Sequence, residues 1–174
     1  MQSKAANTCP AVQRKGQQRT ILGIDPGYGR LGWGIIIARG AQVRVVDYGT
    51  IETPSDEELP QRLAIINDEL QQIIEKHNPD DISIEELFFS KNVKTALSVA
   101  AARGVIMLRA VHHSGQIFQY KPNQVKQATT GTGSADKKQM QEMVKRILNL
   151  DKIPKPDDAA DALAIAITHA AYVR

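Results

Sequence analysis

The sequence predicts a mixed α/β sheet with helices on both faces, and three observations predict it. Apolar runs and period-two alternation mark strands near residues 20–25, 32–38 and 42–52. Their short connections contain Gly27, Gly29 and Gly40, the pattern of an antiparallel meander. Beyond residue 57, helical and strand patterns alternate to the end of the chain.

Taken in order, the first strand ends abruptly. The run Ile21–Ile24 stops at Asp25, and Pro26-Gly27 then turns the chain. Residues 57–77 place Leu63, Ile66, Leu70, Ile73 and Ile74 at helical spacing, and Pro79 stops that helix. The stretch from Asp81 to Leu87, DISIEEL, reads as a strand leading through Phe88-Phe89-Ser90 into a second helix at about 93–113. That helix is apolar or small nearly all the way round, which calls for burial on more than one face. Ala96, Ala100, Ala101 and Gly104 leave room for another backbone, so one face can cover the sheet while the other meets a second copy of the chain. A short strand from Ile117 to Tyr120 follows, then a short helix opened by Pro122 that contains Lys126. The turn GTGSADKK leads into a helix ending near Leu150, and a last helix runs from Asp157 to about Tyr172.

At 174 residues the chain is long enough to bury a substantial core. Residues 1–19 read as a disordered basic extension, and 20–174 as one domain. No apolar stretch approaches the roughly 20 residues needed to cross a bilayer. The single cysteine, Cys9, has no internal partner, which fits a reducing compartment. The net charge of +3 is misleading: Lys4, Arg14, Lys15 and Arg19 stand in the first 20 residues, and without them 18 basic face 19 acidic residues. Any contact with nucleic acid must therefore rest on local patches.

Acids occur where apolar residues are expected. Asp25 ends the first strand, Glu85 and Glu86 interrupt ISIEELFF, and Asp157, Asp158 and Asp161 crowd the start of an otherwise apolar helix. Acids at a helix N-terminus suit free amides and the macrodipole, which accounts for one or two of the aspartates. Asp158 and Asp161 share one helical face, however, where like charges repel. Acids at the ends of neighbouring parallel strands, with this pair on a helix laid across the sheet edge, can converge within a few ångströms. Such a group cannot all stay ionised and unpaired. A pair of Mg²⁺ ions resolves the repulsion with hard oxygen ligands, and two-metal sites serve phosphoryl chemistry. The lack of a Cys/His cluster argues against zinc. His112 and His113, side by side at a helix end, read as surface or capping residues.

Four segments, GIDPG at 23–27, IEELFFSKN at 84–92, QVKQATTGTGSADK at 124–137 and DAADALAIAITH at 158–169, together resemble the bacterial RuvC Holliday-junction resolvases in order and spacing. The resemblance covers residues 20–172. It implies a ribonuclease-H-like fold working as a homodimer, and Mg²⁺-dependent cleavage of two strands of like polarity in a four-way DNA junction, with Mn²⁺ able to substitute. It implies Asp25, Glu85, Asp158 and Asp161 as the catalytic, metal-binding acids; some relatives carry histidine at the position of Asp158. Glu86 is then a neighbour, and Asp157 a cap or a supporting group. Lys126 and Lys137 match lysines that hold DNA, and Phe88, with Phe89 doubling it, matches an aromatic that stacks on junction bases; Lys91 is a further basic candidate. Arg103 and Arg109 are candidates of the same kind or solvated helix positions. A bacterial cytoplasmic setting and a branch-migration motor of the RuvA and RuvB type are implied partners.

Other classes fit less well. An actin-like ATPase shares the look of DPGYGRLGWG but needs a second lobe. GTGSADKK lacks the G-K-[ST] ending of a P-loop. A general nuclease of the same fold, and a junction binder that does not cut, stay as rivals, although a binder gains nothing from four carboxylates beside phosphates.

Overall fold

The computed structural model describes residues 18–86 and 93–173. Five strands form one sheet: β1 (Arg19–Asp25), β2 (Arg30–Arg39), β3 (Gln42–Glu52), β4 (Asp81–Glu85) and β5 (Phe118–Tyr120). Five helices accompany them: α1 (Leu59–His77), α2 (Val93–Ser114), α3 (Pro122–Thr130), α4 (Lys137–Ile147) and α5 (Asp157–Tyr172). The strand order is β3-β2-β1-β4-β5. β1, β2 and β3 are antiparallel neighbours, while β4 runs parallel to β1 and β5 parallel to β4. The mixed sheet read from the sequence is therefore present, with strand β4 ending at Glu85 and β2 beginning at Arg30, two residues earlier than the apolar run shows.

Side-chain alternation along β1 sorts the residues into two cores. Leu22 and Ile24 point into one core with Leu31, Ile35, Ile82 and Ile84, covered by α1 and α2 through Ile66, Leu70 and Ile106. Ile21 points to the opposite core with Ile36, covered by α3, α4 and α5 through Val125, Val144, Leu163 and Ile167. Each fully buried aliphatic side chain contributes about 1.5–3 kcal/mol, so neither layer is dispensable.

Local chemistry sets the element ends. Pro60 lies in the first turn of α1, where its missing N–H costs nothing, and Asn78 closes the helix in the left-handed region at φ 42°, its N–H donating to the Ile74 carbonyl at 2.8 Å. The turn before α4 is capped reciprocally. Asp136 accepts from the Gln139 N–H at 2.8 Å, and the Gln139 side chain accepts from the Asp136 N–H at 3.0 Å. The aspartate that spoils the P-loop pattern thus has a structural job.

Helix α5 departs from expectation in position. It lies across the face of β1 and β2, not across the sheet edge. Glycines on that face are the reason. A Cβ on Gly23 would sit 2.1 Å from the Ala162 carbonyl oxygen, and one on Gly32 would sit 2.0 Å from that of Asp158. The helix backbone rests directly on the strands, at the point where its first-turn acids meet the end of β1.

Candidate active site

The carboxylates are assembled by register. Ile24 pairs with Ile84 in the parallel β1–β4 ladder, and continuing one residue sets Asp25 beside Glu85 on neighbouring strands, about 4.8 Å apart. Both point to the face that carries α5, because Ile24 and Ile84 point to the other core. From α5, Asp158 and Asp161 approach from above. Asp25, Asp161, Glu85 and Asp158 are close enough for their charges to act on one another. Burial, then the charges of Asp161, Glu85 and Asp158, push the Asp25 carboxyl up to about 7, against a weaker opposing pull from Lys137. Burial and Asp161 raise Glu85, while Lys126 pulls it down. Asp161 is also raised, mainly by burial, with Lys137 working against the shift.

Cations border the group. Lys137 Nζ lies 3.2 Å from Asp161 Oδ2 and 3.7 Å from Asp157 Oδ2. Burial works against its charge, but Asp161, Asp157 and Asp158 outweigh that and raise it, so Lys137 stays an ammonium. Asp157 is not a cap: Pro156 occupies the N-cap position of α5, and the Asp157 carboxylate holds Lys155 at 2.7 Å. Arg30, which the sequence reading passed over, reaches Asp158 at 3.5 Å and Glu52 at 2.9 Å. Its only sequence signal is a basic residue in the turn that follows Asp25.

The residues fit a hard divalent cation in kind. All four acids offer oxygen ligands, Asp161 Oδ1 is buried without a hydrogen-bond partner, and burial with three neighbouring acids lifts Asp25 to about 7. They are not drawn together to ligating distance. Among the described residues, no three His, Cys, Asp or Glu side chains stand close enough to hold an ion as placed.

The other candidates divide. Phe88, Phe89 and Lys91 lie outside the described residues. Arg103 donates to the Glu85 carbonyl and to Gln119, and Arg109 donates to Asn67 on α1 at 2.7 Å, so both hold elements together instead of standing free. His113 Nε2 lies 2.9 Å from the Pro79 carbonyl oxygen, so it ties α2 to the connection between α1 and β4 instead of capping a helix. A buried triad escaped the sequence reading: the Tyr120 hydroxyl is 2.7 Å from His169 Nδ1, and His169 Nε2 faces Asp81 Oδ2 at 3.2 Å, with Arg19 3.0 Å from the same oxygen. Its one signal was a histidine in an apolar helix.

A mixed sheet of this order, with acids at the adjoining ends of its two central parallel strands, defines a nuclease-like class of the ribonuclease-H type. The comparisons narrow it. The chain superposes on Thermus thermophilus RuvC, solved in complex with a Holliday junction substrate, with a TM-score of 0.85 and 34% identity over 90% of this chain and 95% of that one. The yeast mitochondrial Holliday junction resolvase shares the fold at a TM-score of 0.63, with 17% identity over 88% of this chain and 78% of that one. The family model described as crossover junction endodeoxyribonuclease RuvC matches residues 21–169. Relatives of that description from Alkaliphilus oremlandii and Halothermothrix orenii are 59% and 54% identical, each over 86% of this chain and over 92% and 90% of their own lengths. The chain belongs to the RuvC family of crossover junction endodeoxyribonucleases, DNA-cleaving hydrolases that resolve Holliday junctions.

Proposed function

We propose that residues 20–174 form one nuclease domain that cuts four-way DNA junctions with paired, symmetric nicks, using Asp25, Glu85, Asp158 and Asp161 as the ligands of two Mg²⁺ ions. The observation that carries this reading is that the four acids face one another between the ends of β1 and β4 and the start of α5, near enough that burial and their charges lift Asp25 to about 7. When bound there, Mg²⁺, or Mn²⁺ in its place, activates water and stabilises the leaving 3′-oxygen. Asp25, lifted to about 7 by burial and its acidic neighbours, would serve as a ligand in its deprotonated form. Glu85 from the neighbouring strand, and Asp158 and Asp161 from the helix, would supply the other carboxylate ligands.

Lys137, whose ammonium is held by Asp161 and Asp157 in this structure, would serve as a DNA phosphate contact. Lys126, near enough to lower Glu85, guards the other flank. Phe88 and Phe89 support an unstacked base, and Lys91 a neighbouring phosphate.

The dimer follows from α2. Ala102, Ile106 and Ala110 are buried on its inner face. On the outer face Leu97, Ala101, Gly104, Leu108 and Val111 recur at alternating spacings of four and three, the period of a packed helix seam. Leu97 is 74% and Leu108 60% exposed, and nothing lies within 4 Å of where a Gly104 Cβ would stand. Two copies related by a two-fold axis would cover this seam and offer two identical sites to a two-fold junction. A bacterial cytoplasmic setting and a RuvA- and RuvB-type motor go with that role; no described helix is long and apolar enough to span a membrane.

The test is cleavage of a synthetic four-way junction with Mg²⁺, beside a linear duplex and Asp25→Asn. Symmetric, ligatable nicks confined to the junction and lost in the variant are expected. Equal cutting of the duplex would instead indicate a general nuclease, and binding without cutting a junction-binding module.

A further inference from the structure

Arg30 is the first residue of β2 and lies on the same sheet face as Gly32, so it emerges beside the first turn of α5. Glu52, the last residue of β3, stands directly opposite it in the ladder, which builds their contact into the register. Nε of Arg30 donates to Glu52 Oε1 at 2.9 Å, a full hydrogen bond, while Nη1 reaches Asp158 Oδ2 only at 3.5 Å, the outer limit of one. A planar guanidinium can serve two carboxylates from different edges, and it never loses its charge. Two of the four acids contact a cation, Asp161 with Lys137 and Asp158 with Arg30, while Lys126 acts on Glu85 and Lys137 on Asp25 by charge alone. Among the described residues Asp25 makes no such ion pair.

The inequality of Arg30's two contacts matters. A guanidinium gripping Asp158 fully would compete with a divalent cation for it; with no guanidinium, Asp158 at 32% exposure would be free to swing toward solvent. We propose that Arg30 and Glu52 are positioning residues for the junction-cutting reaction, a role that rests on reading the four carboxylates as a metal site. Arg30 orients Asp158 toward the centre of the acids, and Glu52 holds Arg30 by Nε so that Asp158 can be surrendered to an incoming cation.

The test titrates Mg²⁺ alone into the unaltered chain, Glu52→Gln, Arg30→Gln, Arg30→Lys and the double variant Arg30→Gln/Glu52→Gln, read by calorimetry, with single-turnover junction cleavage in parallel. Glu52→Gln is expected to weaken Mg²⁺ binding roughly two- to fivefold, the size of a half-exposed ion pair, because the released guanidinium closes on Asp158. In the double variant that effect disappears, since Glu52 acts through Arg30. Arg30→Lys keeps the charge but not the fork, and cuts as slowly as Arg30→Gln. Unchanged Mg²⁺ affinity in Glu52→Gln, or effects that simply add in the double variant, would reduce the pair to a surface ion pair and overturn the proposal. A loss of junction affinity with Mg²⁺ binding intact would make Arg30 a phosphate contact and overturn it equally. Asp25→Asn in the same titration reads the underlying site: Mg²⁺ binding equal to that of the unaltered chain would sink the four-carboxylate reading itself.

Discussion

Asp25 shows most directly how one side chain answers to its surroundings. A carboxyl held near 7 by burial and by Asp161, Glu85 and Asp158 is destabilising when ionised and unneutralised. Asp25→Asn should therefore remove cleavage by about a hundredfold or more, the scale of losing a group that acts on developing charge. In metal-free buffer at pH 8 the same variant should be more stable than the unaltered chain by about 1–2 kcal/mol, after allowing for solvent and relaxation. Thermal unfolding in a chelator checks this, and an unchanged or lowered midpoint would contradict it. The residue scale also explains what the sequence hid. Asp25, Glu85 and Asp161 were visible as acids in apolar surroundings. Arg30 was not, because an arginine beside a turn is ordinary until the fold sets Glu52 and Asp158 on either side of it.

Elements decide whether those residues meet. The smooth strip made by Gly23 and Gly32 lets α5 lie on β1 and β2 at backbone contact, and this closeness brings Asp158 and Asp161 over the strand ends. Gly32→Ala should cost about 1–3 kcal/mol, as overpacking does, and should slow cleavage by more than its loss of stability explains, because α5 is displaced together with its acids. Comparing denaturation midpoints with single-turnover rates at a temperature where both proteins are folded separates the two effects. The outer face of α2 yields a different expectation. Leu108→Glu places a charge in the exposed apolar seam without touching the buried Ala102, Ile106 and Ala110. It should leave the fold intact and abolish the proposed dimer in sedimentation velocity; an unaltered profile would rule out this face as a dimer interface.

For the molecule as a whole, the acids couple folding to protons and, under the proposed function, to metal. Asp25, Glu85 and Asp161 all have folded values above their ordinary ones, so the folded chain holds more protons than the unfolded chain between the ordinary carboxylate range and about 7. Their contribution to metal-free stability is then most favourable at the acid end of that window and declines as pH rises through it. A cation must displace the same protons, so Mg²⁺ affinity should climb over this window and level off above it. Calorimetric titrations in buffers of different ionisation heat check this by counting the protons released, and release that stays flat from pH 5.5 to pH 8 would contradict it.

The sequence by itself determined the order of elements, the two-sided apolar faces and the positions where acids break them, because hydrophobic period and turn chemistry are local properties. It carried the family resemblance in four short segments for the same reason. Only the tertiary structure decided that α5 crosses the face of the sheet instead of its edge, that Arg103 and Arg109 tie elements together, and that Arg30 borders the acids. It alone joined Tyr120, His169 and Asp81 in the core. These pairings span from 16 to 128 residues along the chain. They depend on strand register and on the clearance above two glycines, which no periodicity in the sequence expresses.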